Sequence, residues 1–377
     1  MFRKIFKIVL PLILLTALLI SLVAFTRIRS REANLDELPS IALGESASQA
    51  PICEDVEIIL PDAEISFPQK MMVYKIEPVN MSDEQIKDLA ARFGISGKVE
   101  TSALGAWRAI GEEEEGRAKC INVDPETGIF DYTNKEPYPS SPEEILEKCL
   151  NPPHPNLPSL DEAKSVARDF LLKTDVLTKE ELSRLKESAM VTETRGEWDP
   201  IKQEHVVVPL RVGVRYSGEL NGYPIMGHAR ISVGIGHNGE VMQVYYFWPK
   251  VKPYGEYPIK SIDEVISDIR NNKCTGFGID RPPKVMKISS IKLAYWANPC
   301  FLLSGKQVFH PIYYIEGEVL KDEEDIYRKK FEEEIKKFKI PPKPKQKFEI
   351  HVPAIPDRYY KEPPFSEIPY NPPFEIP

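Results

Sequence analysis

The chain has 377 residues, of which 42% are hydrophobic and 10% aromatic, with a formal net charge of -8 and 35 prolines. That length and apolar content support two or three domains with real cores. The mildly acidic balance excludes a nucleic-acid partner, which would require a clustered basic face.

The first thirty residues carry the clearest signal. Ile8 to Phe25 is apolar apart from Pro11, Thr16 and Ser21 and holds no charge, with Arg3, Lys4 and Lys7 before it and Arg27, Arg29 and Arg31 after it. At the helical rise, the run makes ~27 Å, enough to cross a hydrocarbon core. Residues 1–30 are therefore expected to form an uncleaved single-pass anchor, bound to the bilayer through residues 8–25. A cleaved secretory signal and a buried core helix are the alternatives. The end of the run, Leu22-Val23-Ala24-Phe25-Thr26-Arg27, is a poor match to the small-residue pattern of a cleavage site, and no cysteine there offers a lipid attachment point. Basic residues balance on the two flanks, so the positive-inside count is a tie. A short amino-terminal side normally stays inside, which places the body outside the cytoplasm. Residues 31–55 are polar and read as a stalk.

Three copies of one pattern follow, each a capped helix with several strands. In the first unit, 56–138, Ser82-Asp83-Glu84-Gln85 is a capping box ahead of Ile86, Leu89, Ala90 and Phe93, with Gly94 as the stop. A strand at Met71–Ile76 precedes the helix, and strands near Thr101–Ile110, Arg117–Val123 and Ile129–Thr133 follow it. In the second unit, 158–250, Ser159-Leu160-Asp161-Glu162 caps a helix, and a short second one starts at Thr178. A three-strand meander then runs from Val206 to Trp248, turning at Asn221-Gly222 and Asn238-Gly239, the strongest local hairpin signals in the chain. In the third unit, 258–355, Ser261-Ile262-Asp263-Glu264 caps a helix before strands at Ile288–Trp296, Val308–Val319 and Phe348–Val352. A helical insertion, 321–347, separates the last two strands, and Pro341-Pro342-Lys343-Pro344 ends it. The proline-rich tail, 356–377, lacks periodicity and reads as extended and loosely packed or disordered. The fold class is α+β, with each helix laid on one face of an antiparallel sheet.

No motif carries recognisable chemistry. Gly234-Ile235-Gly236-His237-Asn238-Gly239 fits G-x-G-x-x-G, but a strand follows where a dinucleotide site needs a helix, so the glycines serve a hairpin. The six histidines lack metal-ligand spacing, and His228 and Arg230 fall on the strand face opposite Ala229 and Ile231. Glu112–Glu115 suits a solvated hairpin tip. Cys53, Cys120, Cys149, Cys274 and Cys300 include no C-x-x-C pair. Cys274 and Cys300 could pair within one domain, with reduced buried thiols as the alternative. Neither a catalytic residue nor a metal or small-molecule cofactor is expected. Tyr245, Tyr246, Phe247, Trp248, Tyr254 and Tyr257 cluster at the junction of the second and third units. They either bury that joint or form an exposed patch for a partner.

The stretch NGYPIMGHARISVGIGHNGEVMQVYYFW, then YPIKSIDEVISDI, KLAYW, HPIYYIEGEV and FEIHVPAI, resembles PepSY-like domains and the membrane-anchored YycH and YycI regulators of bacterial sensor kinases. The resemblance covers roughly residues 206–354. It implies a tethered, extracytoplasmic, noncatalytic protein that acts by binding another membrane or envelope protein. The helical insertion and the extra first unit depart from that pattern. A cell-envelope hydrolase, with a site assembled from scattered residues, is the alternative.

Overall fold

The computed structural model describes residues 37–38, 55–62, 65–102, 107–114, 117–135, 155–199, 203–279, 282–297, 308–332, 336 and 345–361. The expected anchor, most of the stalk and the tail beyond Lys361 lie outside them. No helix among the described residues is long and apolar enough to cross a membrane.

The architecture is α+β and rich in sheet. In chain order come β1 (Glu57–Ile59), β2 (Lys70–Ile76), α1 (Asp83–Arg92), β3 (Glu100–Thr101), β4 (Arg108–Glu114), β5 (Arg117–Val123) and β6 (Phe130–Lys135). Next are α2 (Leu160–Lys173), α3 (Lys179–Ser183), β7 (Lys186–Asp199), β8 (Glu204–Ser217), β9 (Glu219–Leu220), β10 (Tyr223–Gly227), β11 (Ile231–Ile235) and β12 (Val241–Tyr246). The last third adds β13 (Val251–Pro258), α4 (Ile262–Arg270), β14 (Thr275–Phe277), β15 (Pro283–Ala297), β16 (Val308–Asp322), α5 (Glu323–Lys330) and β17 (Gln346–Pro353).

The helices start where their caps dictate. Ser82, Ser159, Thr178 and Ser261 each accept a hydrogen bond from the backbone three residues on, and Gln85, Glu162, Glu181 and Glu264 reach back to close the box.

The strands assemble differently from the three expected units. Sheet 1 has the order β3-β4-β5-β6-β12-β11-β8-β7, joining the first and second units edge to edge through the β6–β12 pairing, with Tyr132 opposite Val244. Helices α1 and α2 share its core. Phe93 meets Phe130 and Tyr132 at ring centroid distances of 5.7 and 4.8 Å, and Phe170 at 5.8 Å. Strand β2, expected with the first unit, instead pairs with β13 and β16. It belongs to sheet 2, which runs β13-β2-β16-β15-β10-β9, with β1 on β15 and β17 and β14 continuing beside β16. Local pattern identifies a strand; its neighbour depends on which apolar face needs covering, and Met71, Val73 and Ile76 are buried in sheet 2.

The central meander is also corrected. β8, β11 and β12 pair as expected, but the run Ile225–Ile235 is broken at Gly227. The first half, β10, pairs with β9 across Asn221-Gly222 and lies parallel to β15 in sheet 2. Gly227 has φ +81, and a Cβ there would collide with the Ala297 carbonyl, so the chain crosses between sheets where only glycine fits. The second turn is as read, with Asn238 and Gly239 at φ 53 and 77.

Val212 is 2% exposed in the sheet 1 core, while Arg211 faces outward and pairs with Glu193 at 3.2 Å. Val212→Asp should cost on the order of 4 kcal/mol, whereas Arg211→Asp should cost about 1 kcal/mol. Equal shifts in urea midpoint would mean the register is wrong.

The insertion joins adjacent strands as expected, with Val319 opposite Gln346 and α5 following β16 directly; residues 333–335 and 337–344 of it lie outside the described residues. The expectation of a loose tail after Ala354 is overturned through Lys361. Ile355, Tyr359 and Tyr360 are buried against the face of sheet 2 opposite α4, together with Trp296 and Ile312. The stalk reading is overturned at Leu38, which is fully buried in the same cluster. Its N–H donates to Tyr359 O at 2.8 Å and its carbonyl accepts from Lys361 N–H at 2.9 Å. Neither segment shows periodicity, because the buried side chains, Leu38 in one and Ile355, Tyr359 and Tyr360 in the other, are not spaced as one face of a helix or strand. Asp357 clips this carboxyl-terminal strap to the body, accepting from Lys260 Nζ at 3.2 Å and Lys273 Nζ at 2.9 Å, while Lys260 also donates to Asp268 at 2.7 Å.

Candidate functional site

The six aromatics singled out from sequence do not form one surface. Tyr257 is buried beneath the strap, edge-on to Tyr359 at 5.8 Å. Tyr254 carries the Lys75 ammonium over its ring at 5.2 Å. Tyr246 stacks on Phe130 at 5.0 Å inside sheet 1. Trp248 packs against both the sheet 1 and the sheet 2 cores, and Phe247 against the latter. A Cβ at Gly218 would lie 2.5 Å from the Trp248 ring, so glycine is what lets that ring seat between the sheets. Tyr245 stands apart, exposed on the outer face of sheet 1 with Phe247 at 6.0 Å.

A different feature is concave. An open groove of about 700 Å³ crosses β15, β16 and β17. Strand register sets its rows. Lys287, Glu318 and Lys347 lie side by side; Ser290, Glu316 and Glu349 form the next row; Lys292, Tyr314 and His351 form the third. Glu316 is the fixed point, accepting from Lys292 Nζ and Ser290 Oγ, each at 2.8 Å, and from Tyr314 OH at 3.4 Å. The bonds from Lys292 and Ser290 hold its carboxyl below the usual range. It is therefore a weak base and does not activate Ser290 as a nucleophile. Lys287 and Lys347 make no ion pair among the described residues and stay exposed on either side of Glu318. The floor is tight: a Cβ at Gly317 would collide with the Lys287 carbonyl and the Phe348 ring.

Sequence reasoning missed this groove. Its charges sit on three strands, and a cross-strand row appears only once register is known. The visible trace was the spacing of Lys287, Ser290 and Lys292, Glu316 and Glu318, and Lys347 and Glu349 on matched strands.

Further along β16 and β17 the floor becomes aromatic and covered. His351 lies 4.9 Å from Trp296 and 5.5 Å from Tyr314, and His310 lies 5.5 Å from Tyr360 of the strap. Burial lowers the histidines to about 4 and about 3, so both are neutral. Cys274 is a free, buried thiol pushed up to about 12 by its burial, while Cys300 lies outside the described residues. Among the described residues no group of three His, Cys, Asp or Glu side chains is placed to hold a metal ion.

No protein-family model matches the chain, and no curated protein does. Two solved structures show a distant likeness. One is an uncharacterized protein from Eubacterium rectale, 12% identical, covering 80% of this chain and 88% of the other with a TM-score of 0.34. The other is the Bacillus megaterium YpeB C-terminal domain, 13% identical, covering 64% and 89% with a TM-score of 0.28. Scores this low carry no argument about fold or function.

Proposed function

We propose that the chain is a membrane-anchored, extracytoplasmic, noncatalytic binding module that regulates another membrane or envelope protein. The observation that carries the reading is the groove on β15–β17. It is open rather than enclosed, Ser290 is bonded to the weakly basic Glu316 carboxylate and Ser289 to the Glu316 backbone carbonyl, and its exposed lysines alternate with a glutamate across three strands. Such a ladder suits an extended polypeptide segment of mixed charge, read by charge-assisted hydrogen bonds. The apolar run at residues 8–25 and the PepSY-like pattern over 206–354 support the tethered setting.

Two measurements test the reading. The full chain should stay with membranes through alkaline carbonate washing; recovery in the soluble fraction would remove the anchor. A photo-crosslinker at Lys287 or Lys347 in intact membranes should yield one discrete adduct that disappears when the other lysine is changed to Glu. A crosslinker at Met190, exposed on β7, should not yield it. Adducts at Met190 and none in the groove would move the docking face elsewhere.

A further inference from the structure

Where the chain crosses between the sheets, two guanidiniums and a neutral imidazole come together with no carboxylate among the described residues paired to them. Arg215 Nη2 and Arg230 Nη1 both donate to the Gly227 carbonyl, at 3.3 and 3.4 Å. His228 follows Gly227 directly, its backbone N–H donates to Ala297 O at 2.8 Å, and its imidazole feels the charges of both arginines. None of the three forms an ion pair with a carboxylate among the described residues, although both arginines are half-buried. Arg215 stands in register with Ser232, and Ser232 with the exposed Tyr245, so a hydroxyl row continues the same outer face of sheet 1.

We propose that Arg215, His228 and Arg230 form a binding site for a dianionic phosphate group. A shared backbone acceptor orients two guanidiniums but neutralises neither, and their remaining N–H groups are free to grip an oxyanion bidentately. Burial lowers Arg215 from its usual range, burial and the neighbouring Arg215 charge lower Arg230, and burial, Arg230 and Arg215 lower His228. A monocarboxylate would leave one guanidinium unmatched. A dianion would satisfy both and draw a proton onto His228. The geometry depends on Gly227, whose left-handed backbone aims the carbonyl at both arginines.

The readout is the His228 titration, followed by NMR on the full chain in uncharged detergent micelles. Millimolar inorganic phosphate should raise the His228 pKa by about one unit or more, as a nearby dianion would. Acetate at the same concentration should move it much less. Arg215→Gln and Arg230→Gln should each weaken the phosphate response at least about tenfold, the scale of losing one charge-assisted bond. A second readout covers variants that fold poorly: phosphate should raise the melting temperature of the parent chain and not that of the Arg215→Gln/Arg230→Gln double variant. Doping the micelles with phosphatidic acid distinguishes the sources. A His228 shift there without added phosphate assigns the group to a lipid headgroup, and a shift only with soluble phosphate assigns it to a small molecule. No phosphate response, an equal response to acetate, or one that survives in the double variant would overturn the site. Crosslinking at Lys287 and Lys347 is independent of these results.

Discussion

A chain ending at Ala354 is expected to lose roughly 5 kcal/mol of stability relative to the full chain, a large share of what holds a typical domain together. Ile355, Tyr359 and Tyr360 are nearly fully buried, and burying a large apolar side chain contributes roughly 1.5–3 kcal/mol. Ordering the strap costs part of that sum. Removing the strap also uncovers Leu38 and Trp296 and takes Asp357 away from Lys260, whose side chain is only 6% exposed. Burial opposes ionisation of Asp357, yet its bonds to Lys273 and Lys260 hold it below the usual carboxylate range, so the clip is ionised at neutral pH. Urea unfolding of the two chains in the same detergent checks the figure. A difference under about 1 kcal/mol would show the strap to be a loose cover, because it is too small for three buried side chains.

Acid should weaken the fold well above the range where carboxylates titrate. His310 and His351 are held neutral at about 3 and about 4, against about 6.5 in the unfolded chain. Their folded values are depressed, so the unfolded state binds more protons as pH falls. The stability they permit is complete above about pH 6.5 and is lost progressively below it. Between about pH 7.5 and about pH 5, two such groups cost about 4 kcal/mol together. His310→Phe with His351→Phe should remove most of that slope, since a phenyl ring keeps the contacts with Tyr360, Trp296 and Tyr314. A pH dependence unchanged in the double variant would place the acid sensitivity in other groups.

The elements were largely legible in the sequence, and their partners were not. Capping boxes at Ser82, Ser159 and Ser261 need only four consecutive residues, and Asn238-Gly239 needs two, so each was readable locally. The register of Val212 followed from alternation alone. Strand β2 alternates in the same way, but nothing within it states that its partners begin at Val251 and Val308. The break at Gly227 was hidden because both halves of Ile225–Ile235 alternate, though they face different cores. The groove is a product of register among β15, β16 and β17, two of which are separated by an insertion. The aromatic cluster was readable as a cluster in sequence only; in space Tyr245 is exposed on sheet 1 and Tyr257 is buried on sheet 2.

The placement of β2 also fixes an order of assembly. All eight strands of sheet 1 lie between Glu100 and Tyr246, a stretch that gives only β9 and β10 to the other sheet, so a chain made or exported amino end first can complete it while the rest is still arriving. Sheet 2 has no such continuous source. Met71, Val73 and Ile76 must wait, with their apolar side chains uncovered, until β13 and then β16 have followed. The entropy of closing so long a loop grows only slowly with its length, so the delay costs time more than free energy. Pairings this distant in sequence form slowly and leave strand edges open meanwhile. The body therefore matures from its middle outward, with its first strands among the last to be paired.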